Sequence, residues 1–486
     1  MNSNNGINSS NNSFWQNLFA PNSVALIGAS NTPGTWGFNI MWRLLASERR
    51  IYPVNPNVSE VMGKPAYRRL KDIPDSIDLA VIVVRASLVS AVLQECTQKG
   101  VNAAVVISSG FSETGEDGIK LEAEMVETAR RGGIRIIGPN TMGHVDTSSN
   151  VSTLAWTKEI PPGPVGLIAQ SGNLGNRIVL QGINLGIGFS KFICSGNEAD
   201  LHFEDYLEYL GRDEDTRIIT AYIEGLREGR RFFQLAREIT VKKPIIVIKA
   251  GGTEEAARAA RSHTGALSGS EAVYNAAFRQ AGVIRVGGDD ELNDVALALL
   301  HQPLPRGNRI GILAIGGGLG VVATEACERD GLVIATLASV TIEKLNAILP
   351  PRWPHANPVD LVGIGPTVDN SIILSSLWVL MEDENIDAVL LQAPVAIGAG
   401  FLSSIFHFTD DEIKAFEDGQ KRNLNMLRQK AAEYGKPVYI VAPVNDPETD
   451  AYLLREKIPV FTSPHRAARV LHHLTGYRGY LDANQS

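Results

Sequence analysis

Three times along this chain a short apolar run ends in a turn of small residues and passes into a helix-like stretch. "SVALIGASNTPGTWGFNIMWRLL" starts at Ser23, "GPVGLIAQSGNLGNRIVLQGI" at Gly163 and "NRIGILAIGGGLGVVATEACERDG" at Asn308. The runs are β-branched and do not alternate, which suits strands covered on both faces, as in parallel sheets. Small residues at a strand end let a helix or a ligand approach the backbone closely. Further strand-like runs follow at spacings that leave room for helices. They are "LAVIVVRA", "NAAVVISSG" and "IRIIGPN", then "RIITAYIEG" and "PIIVIKAGG", then "DAVLLQAP" and "KPVYIVAP". This alternation predicts an α/β fold of three doubly wound domains. A length of 486 residues agrees, at about 100–200 residues per domain. Boundaries are expected near residues 150 and 305, the second marked by "QPLPRGN". The division is then 19–150, 151–304 and 305–486. Residues 1–18 are expected to be a polar disordered tail, because "MNSNNGINSSNNS" lacks the basic and apolar regions of a signal peptide.

Composition removes several function classes. A net charge of −8 argues against nucleic-acid or membrane-surface binding, where a basic patch is expected. It leaves room for a phosphate held by backbone N–H groups. Cys96, Cys194 and Cys327 are far apart and form no CxxC pair, so neither a zinc site nor a disulfide framework is expected. No apolar run reaches the ~20 residues that cross a bilayer. The expectation is a cytoplasmic protein without a metal site of its own.

The first strand-to-helix turn, "GASNTPGTWG", carries Gly28, Ser30, Gly34 and Gly37. Such a turn either cradles a phosphate or only packs a helix tightly. A dinucleotide-binding domain ends its second strand in an acid for the ribose hydroxyls. Here "IYPVNPN" puts Asn55 and Pro56 at that place, which disfavours NAD and a nicotinamide oxidoreductase. In "QSGNLG" Ser171, Gly172 and Asn173 stand at a predicted helix N-terminus, where free N–H groups and the helix dipole favour phosphate. "ARAARSHTGALSGS" sets His263 among small residues. A neutral imidazole, which ordinarily titrates near ~6.5, is a competent nucleophile towards phosphorus. His144, His355, His472 and His473 read as structural or peripheral.

"VALIGAS…PG…G", "YPVNPN", "DIPDSIDLAVIVV", "SSGFSETGEDG" and "GPNTMG" occur in order. Together they resemble the CoA-binding domain of ADP-forming acyl-CoA synthetases, relatives of succinyl-CoA synthetase. "QSGNLG", "SGNEADLHFEDYLEYLGRDEDTRIITAYIEG" and "SHTGALSG" continue the resemblance, which spans residues 20 to 480. It implies a Rossmann-like CoA-binding domain followed by two flavodoxin-like domains. It also implies that the loop Gly28, Ala29, Ser30, Gly34 and Gly37 holds the CoA pyrophosphate. Asn55, Pro56 and Asn57, with Val84 and Arg85, would line the nucleotide portion. His263 would carry the phosphoryl group, with Glu224 as its orienting partner and Glu198 as a second candidate. The chain departs from the family pattern at Asn57, where many relatives have lysine. It departs again at Arg85, near a usual proline, and at Thr141, where cysteine is common.

"AIGGGLGVVATEA" and "ILPPRWPHANPVDLVG" resemble the third domain of the longer synthetases, with Asp360 in a structural role. Gly316, Gly317, Gly318 and Gly320 either approach a ligand or pack a turn. The insert "AIGAGFLSSIFHFTDDE" would cover the acyl site or a partner surface. The resemblance includes no ATP-grasp domain and no P-loop in this chain. It therefore implies the α subunit of a split synthetase, with ATP/ADP and Mg2+ on an ATP-grasp β subunit in a hetero-oligomer. The substrate would be a small carboxylic acid or its acyl-CoA. The remaining alternative is a CoA- or acyl-CoA-binding regulatory module without turnover.

Overall fold

The computed structural model describes residues 13–155, 158–252, 255, 270–362, 371–396, 409–441 and 447–485. The chain divides into two compact units, Met1–Asp289 and Asp290–Ser486.

The first unit holds two large sheets and a small antiparallel pair, Glu60–Val61 with Lys64–Pro65. One is five-stranded and parallel: β1 (Ser23–Ile27), β2 (Arg50–Val54), β3 (Leu79–Ile82), β4 (Ala103–Val106) and β5 (Arg135–Ile137), in the order β2-β1-β3-β4-β5. All five residues of β1 and all four of β3 and β4 are buried. Val24 and Leu26 enter one hydrophobic core, Ala25 and Ile27 the opposite one. Both faces are therefore covered, which is why the sequence shows no alternation.

The second sheet has seven strands: β6 (His144–Asp146), β7 (Val151–Ser152), β8 (Pro162–Ala169), β9 (Phe189–Cys194), β10 (Ile218–Ile223), β11 (Ile245–Lys249) and β12 (Ile284–Val286). Their order is β12-β11-β10-β8-β9-β6-β7. Five are parallel, while β6 pairs antiparallel with both β9 and β7.

Residues 13–19 are helical, where a disordered tail was expected through residue 18. Phe14, Leu18 and Phe19 are buried, and Trp15 and Phe19 each stack on Tyr209 with centroids 4.6 Å apart. Burying these large apolar side chains, at about 1.5–3 kcal/mol each, is what holds this segment in a helix.

The second unit carries a six-stranded sheet: β13 (Arg309–Ala314), β14 (Val333–Ile334), β15 (Val359–Asp360), β16 (Ala388–Gln392), β17 (Val438–Val441) and β18 (Val460–Phe461). Its order is β14-β13-β16-β17-β18, and β15 also pairs with β13. This compact unit begins at Asp290 rather than at 305. The helix Asp289–His301 is held by the terminal helix Pro464–Gln485, through Arg466 Nε and Nη2 donating to Asp294 at 2.7 and 2.8 Å. Asp360 has a structural bond, its carboxylate accepting from Val362 N at 2.8 Å. Residues 397–408 of the expected insert lie outside the described residues. Among the described residues no helix is long and apolar enough to cross a membrane.

Candidate functional site

The site is built in the first unit, from strand ends of both sheets. At the end of β1, Gly28 takes φ +96°, and a Cβ there would lie 2.2 Å from the Val83 carbonyl oxygen. Gly37 passes so close that its Cβ would lie 2.1 Å from the Gly28 oxygen. Thr35 caps the helix Trp36–Leu45, its side chain accepting from Phe38 N at 3.3 Å. Ser30 Oγ accepts from Thr32 N at 3.0 Å. Asn55 holds the loop in place: its Nδ2 donates to Ala29 O at 2.8 Å, and its Oδ1 accepts from Asn57 N at 2.9 Å. The residue that stands in place of a ribose-binding acid therefore braces the cradle.

Val84 and Arg85 follow β3 and lead into the helix Ala86–Lys99, with Val84 N donating to Ser108 Oγ at 3.2 Å. Facing them is the start of the helix Gly172–Asn184, with Ser171 at its N-cap. The Ser171 side chain makes no cap hydrogen bond, so the first N–H groups of this helix are not taken by that hydroxyl. Gly172 lets Met142 in, since a Cβ would lie 2.4 Å from Met142 Cγ.

A cavity of about 560 Å³ joins these pieces. Val84, Arg85, Ser171, Gly172 and Asn173 all line it, so residues from two distant sequence blocks meet at one site. The cradle glycines, Ala29, Ser30 and Asn55 to Asn57 are not among its lining residues, although Trp36, next to Gly37, is. His263 lies outside the described residues.

Glu224 is buried behind the cavity. Its carboxylate accepts from the Tyr222 hydroxyl. Its N–H donates to Gln170 Oε1 at 2.5 Å, and its carbonyl accepts from Lys249 Nζ at 2.9 Å. Burial pushes the Lys249 ammonium below its ordinary value. Glu198 is also buried, and desolvation pushes its carboxyl up to about 7.

Sequence reasoning missed Gln170, Met142 and Asn197, all of which line the cavity. Asn197 Nδ2 donates to Glu113 Oε2 at 2.7 Å and to Glu122 Oε2 at 2.9 Å. Glu113 Oε1 accepts in turn from Gly110 N and Phe111 N, at 2.6 and 3.2 Å. The two glutamates thus serve the loop of "SSGFSETGEDG" and its neighbour. Thr141, where many relatives have cysteine, donates to the Cys194 carbonyl and accepts from Gly143 N at 2.9 Å. His144 is structural, as expected: Nε2 donates to Leu18 O at 2.9 Å. Among the described residues no group of three or more His, Cys, Asp or Glu is placed to hold a metal.

Comparison with known proteins fits this geometry. A profile described as a CoA binding domain matches residues 22–146, and one described as a succinyl-CoA ligase like flavodoxin domain matches 162–299. The chain is 43% identical over 384 residues to the α subunit of acetate–CoA ligase [ADP-forming] II of Pyrococcus furiosus, covering 79% of this chain and 83% of the relative. It is 37% identical over 477 residues to acetate–CoA ligase [ADP-forming] II of Archaeoglobus fulgidus, covering 95% and 67%. A solved structure of the dinucleotide forming acetyl-coenzyme A synthetase 1 of Ca. Korarchaeum cryptofilum, in complex with phosphate and ADP, superposes with a TM-score of 0.83. It is 32% identical and covers 98% of this chain and 99% of that one. Fold and matched domains together define a CoA-dependent acid–thiol ligase. Within that class the chain belongs to the ADP-forming acyl-CoA synthetase family.

Proposed function

We propose that this chain interconverts acyl-CoA, ADP and phosphate with a carboxylic acid, CoA and ATP, using His263 as the phosphoryl carrier. The observation that carries the reading is the cavity in which the helix N-terminus at Ser171 to Asn173 faces Val84 and Arg85. In the direction of ATP formation, a phosphate oxygen attacks the thioester carbonyl and the CoA thiolate leaves with the phosphate's proton. The product is an acyl phosphate. His263 then attacks phosphorus, the P–O bond to the acyl group breaks, and the carboxylate is released. The phosphohistidine finally passes its phosphoryl group to ADP.

Each part of the chain has a task in this scheme. The Gly28–Gly37 loop holds the CoA pyrophosphate, and Asn55 to Asn57, Val84 and Arg85 hold the nucleotide. Arg85 supplies the positive charge that many relatives place at the position of Asn57. The N–H groups at Ser171, Gly172 and Asn173 receive the phosphoryl dianion, and preorganised donors of this kind stabilise charge without reorganising. Glu224 accepts from one ring nitrogen of His263 and leaves the other to attack. ATP/ADP and Mg2+ belong to an ATP-grasp β subunit in a hetero-oligomer. A relative named as an α subunit supports that division of labour. So does a longer relative of which this chain spans 67%. The functional blocks remain 19–150, 151–304 and 305–486.

The test is to mix the chain with CoA, phosphate and a panel of acyl-CoAs, with and without a candidate β subunit, and to read intact mass. An acid-labile gain of one phosphoryl group that disappears in His263→Ala is the expected result. CoA binding with no adduct under any condition would leave only the binding module.

A further inference from the structure

Behind the cavity wall lies a carboxyl that this scheme does not use. Glu198 is 3% exposed and sits at φ +53°, a backbone conformation that costs a residue with a side chain about 1 kcal/mol or more. Two donors reach it. Ser195 Oγ donates to Glu198 Oε1 at 2.7 Å, and the Gln170 side-chain amide hydrogen-bonds the same carboxyl.

The rest of the Gln170 amide holds the Glu224 turn. Its Oε1 accepts from Glu224 N at 2.5 Å and from Gly225 N at 3.0 Å, and its Nε2 donates to Gly225 O at 2.8 Å. Gln170 also immediately precedes Ser171, the N-cap of the phosphate-facing helix. One amide thus ties a buried carboxyl to both halves of the site. A glutamine amide has a donor end and an acceptor end of nearly equal size. Turned by 180°, it would set an NH2 group against the Glu224 and Gly225 N–H groups. An ionised carboxylate accepts only, so Glu198 adds a second acceptor beside the Gly225 carbonyl at the donor end of the amide and reinforces the orientation that the Glu224 and Gly225 N–H groups require.

We propose that Glu198 is a positioning residue for phosphoryl transfer, acting through the Gln170 amide on the Glu224 turn and on the helix that begins at Gly172. This rests on the reading that Glu224 orients His263.

Other charged and titratable groups face the carboxyl. Glu204, from the helix Phe203–Arg212, pushes it towards the neutral form, and Arg227, from the segment after β10, pulls it towards the charged one. Cys194 on β9 and Tyr206 also face it. Burial is the largest influence and puts the titration at about 7. Below that pH the carboxyl carries a proton, becomes a donor as well, and holds the amide less tightly.

The measurement is the single-turnover rate of phosphoryl adduct formation from acetyl-CoA and inorganic phosphate on the full chain, across pH 6 to 8. Glu198→Gln keeps the size of the side chain but has both a donor and an acceptor, as the protonated acid does. It is expected to be about tenfold slower than wild type at pH 8 and flat with pH, with half-saturation by acetyl-CoA unchanged. Added to Gln170→Leu, it is expected to cost nothing more, because the two act as one unit. Wild-type rates in Glu198→Gln at every pH would overturn the proposal. So would a loss that adds in full to that of Gln170→Leu. If wild type forms no adduct, or if the adduct survives His263→Ala, the His263 scheme itself fails and this proposal falls with it. An adduct dependent on His263 but indifferent to Glu198 sinks this proposal alone.

Discussion

His144 shows how a titratable side chain in this fold serves stability alone. It is fully buried, donates to Leu18 O at 2.9 Å and has Thr153 Oγ1 at 3.2 Å from its other ring nitrogen. With a carbonyl as its Nε2 partner, that nitrogen carries the proton in the neutral ring. Burial pushes the group down to about 4, although the Leu18 carbonyl and Asp146 pull the other way. The folded chain therefore binds this proton less readily than the unfolded chain, whose histidine titrates near ~6.5. Stability from this source is fully present above pH ~6.5 and is lost as pH falls towards 4, by about 3 kcal/mol. Urea midpoints measured from pH 7 to pH 4 should fall less steeply in His144→Asn than in wild type. Glu198 works in the opposite sense, since its raised value favours the folded state at low pH, and the two slopes partly offset each other. That Ser171, Gly172 and Asn173 begin a helix at the cavity was legible in the sequence, because a turn of small residues after an apolar run leaves a motif. The braces were not. Gln170, Asn197 and Asn55 act through amide hydrogen bonds to chain segments far away in sequence, and an amide at a strand end carries no periodic or charge signal of that task.

At the scale of elements, the strands that were legible are those with unbroken apolar runs. β9 was missed because Lys191 interrupts it. That ammonium is 2% exposed and lies 2.9 Å from Asp213 and 3.3 Å from Asp146, so a paired charge hides a buried strand. β6 was hidden likewise by His144 and Asp146, both buried. The helix at 13–19 follows a polar tract that conceals its spacing: Phe14 and Leu18, then Trp15 and Phe19, each four apart on one side. Removing residues 1–12 should leave the thermal midpoint of the chain within a degree or two. Removing residues 1–20 strips three buried hydrophobic side chains from the first unit, and should cost roughly 5 kcal/mol or more in a denaturant titration.

The whole chain consists of two compact units with separate sheets. The residues proposed to bind CoA, and the cavity they adjoin, belong to the first unit alone. A ligand stabilises whatever binds it in the folded state, by about 2.7 kcal/mol at a hundred times its Kd. Calorimetry of the full chain should show two transitions, and CoA should raise only the one that carries residues 13–289. Trp353→Phe, which thins the buried core of the second unit, should lower the transition that CoA does not move and so assigns it. A single transition that CoA raises as a whole would mean that the units unfold as one.

The meeting of Gly28 and Gly37 has a consequence for how this chain can change over generations. The Gly28 carbonyl occupies the space a Gly37 side chain would need, and Gly28 is itself pressed against the Val83 carbonyl. A single replacement at either position meets a backbone oxygen, which cannot rotate aside as a side chain would. No sequence of one-residue steps leads out of this turn through intermediates that still fold around it. The loop is fenced off in sequence space, while the floor around Met142, a flexible side chain, stays open to drift. New specificities in descendants of this chain should therefore arise on the floor and leave the cradle as it is.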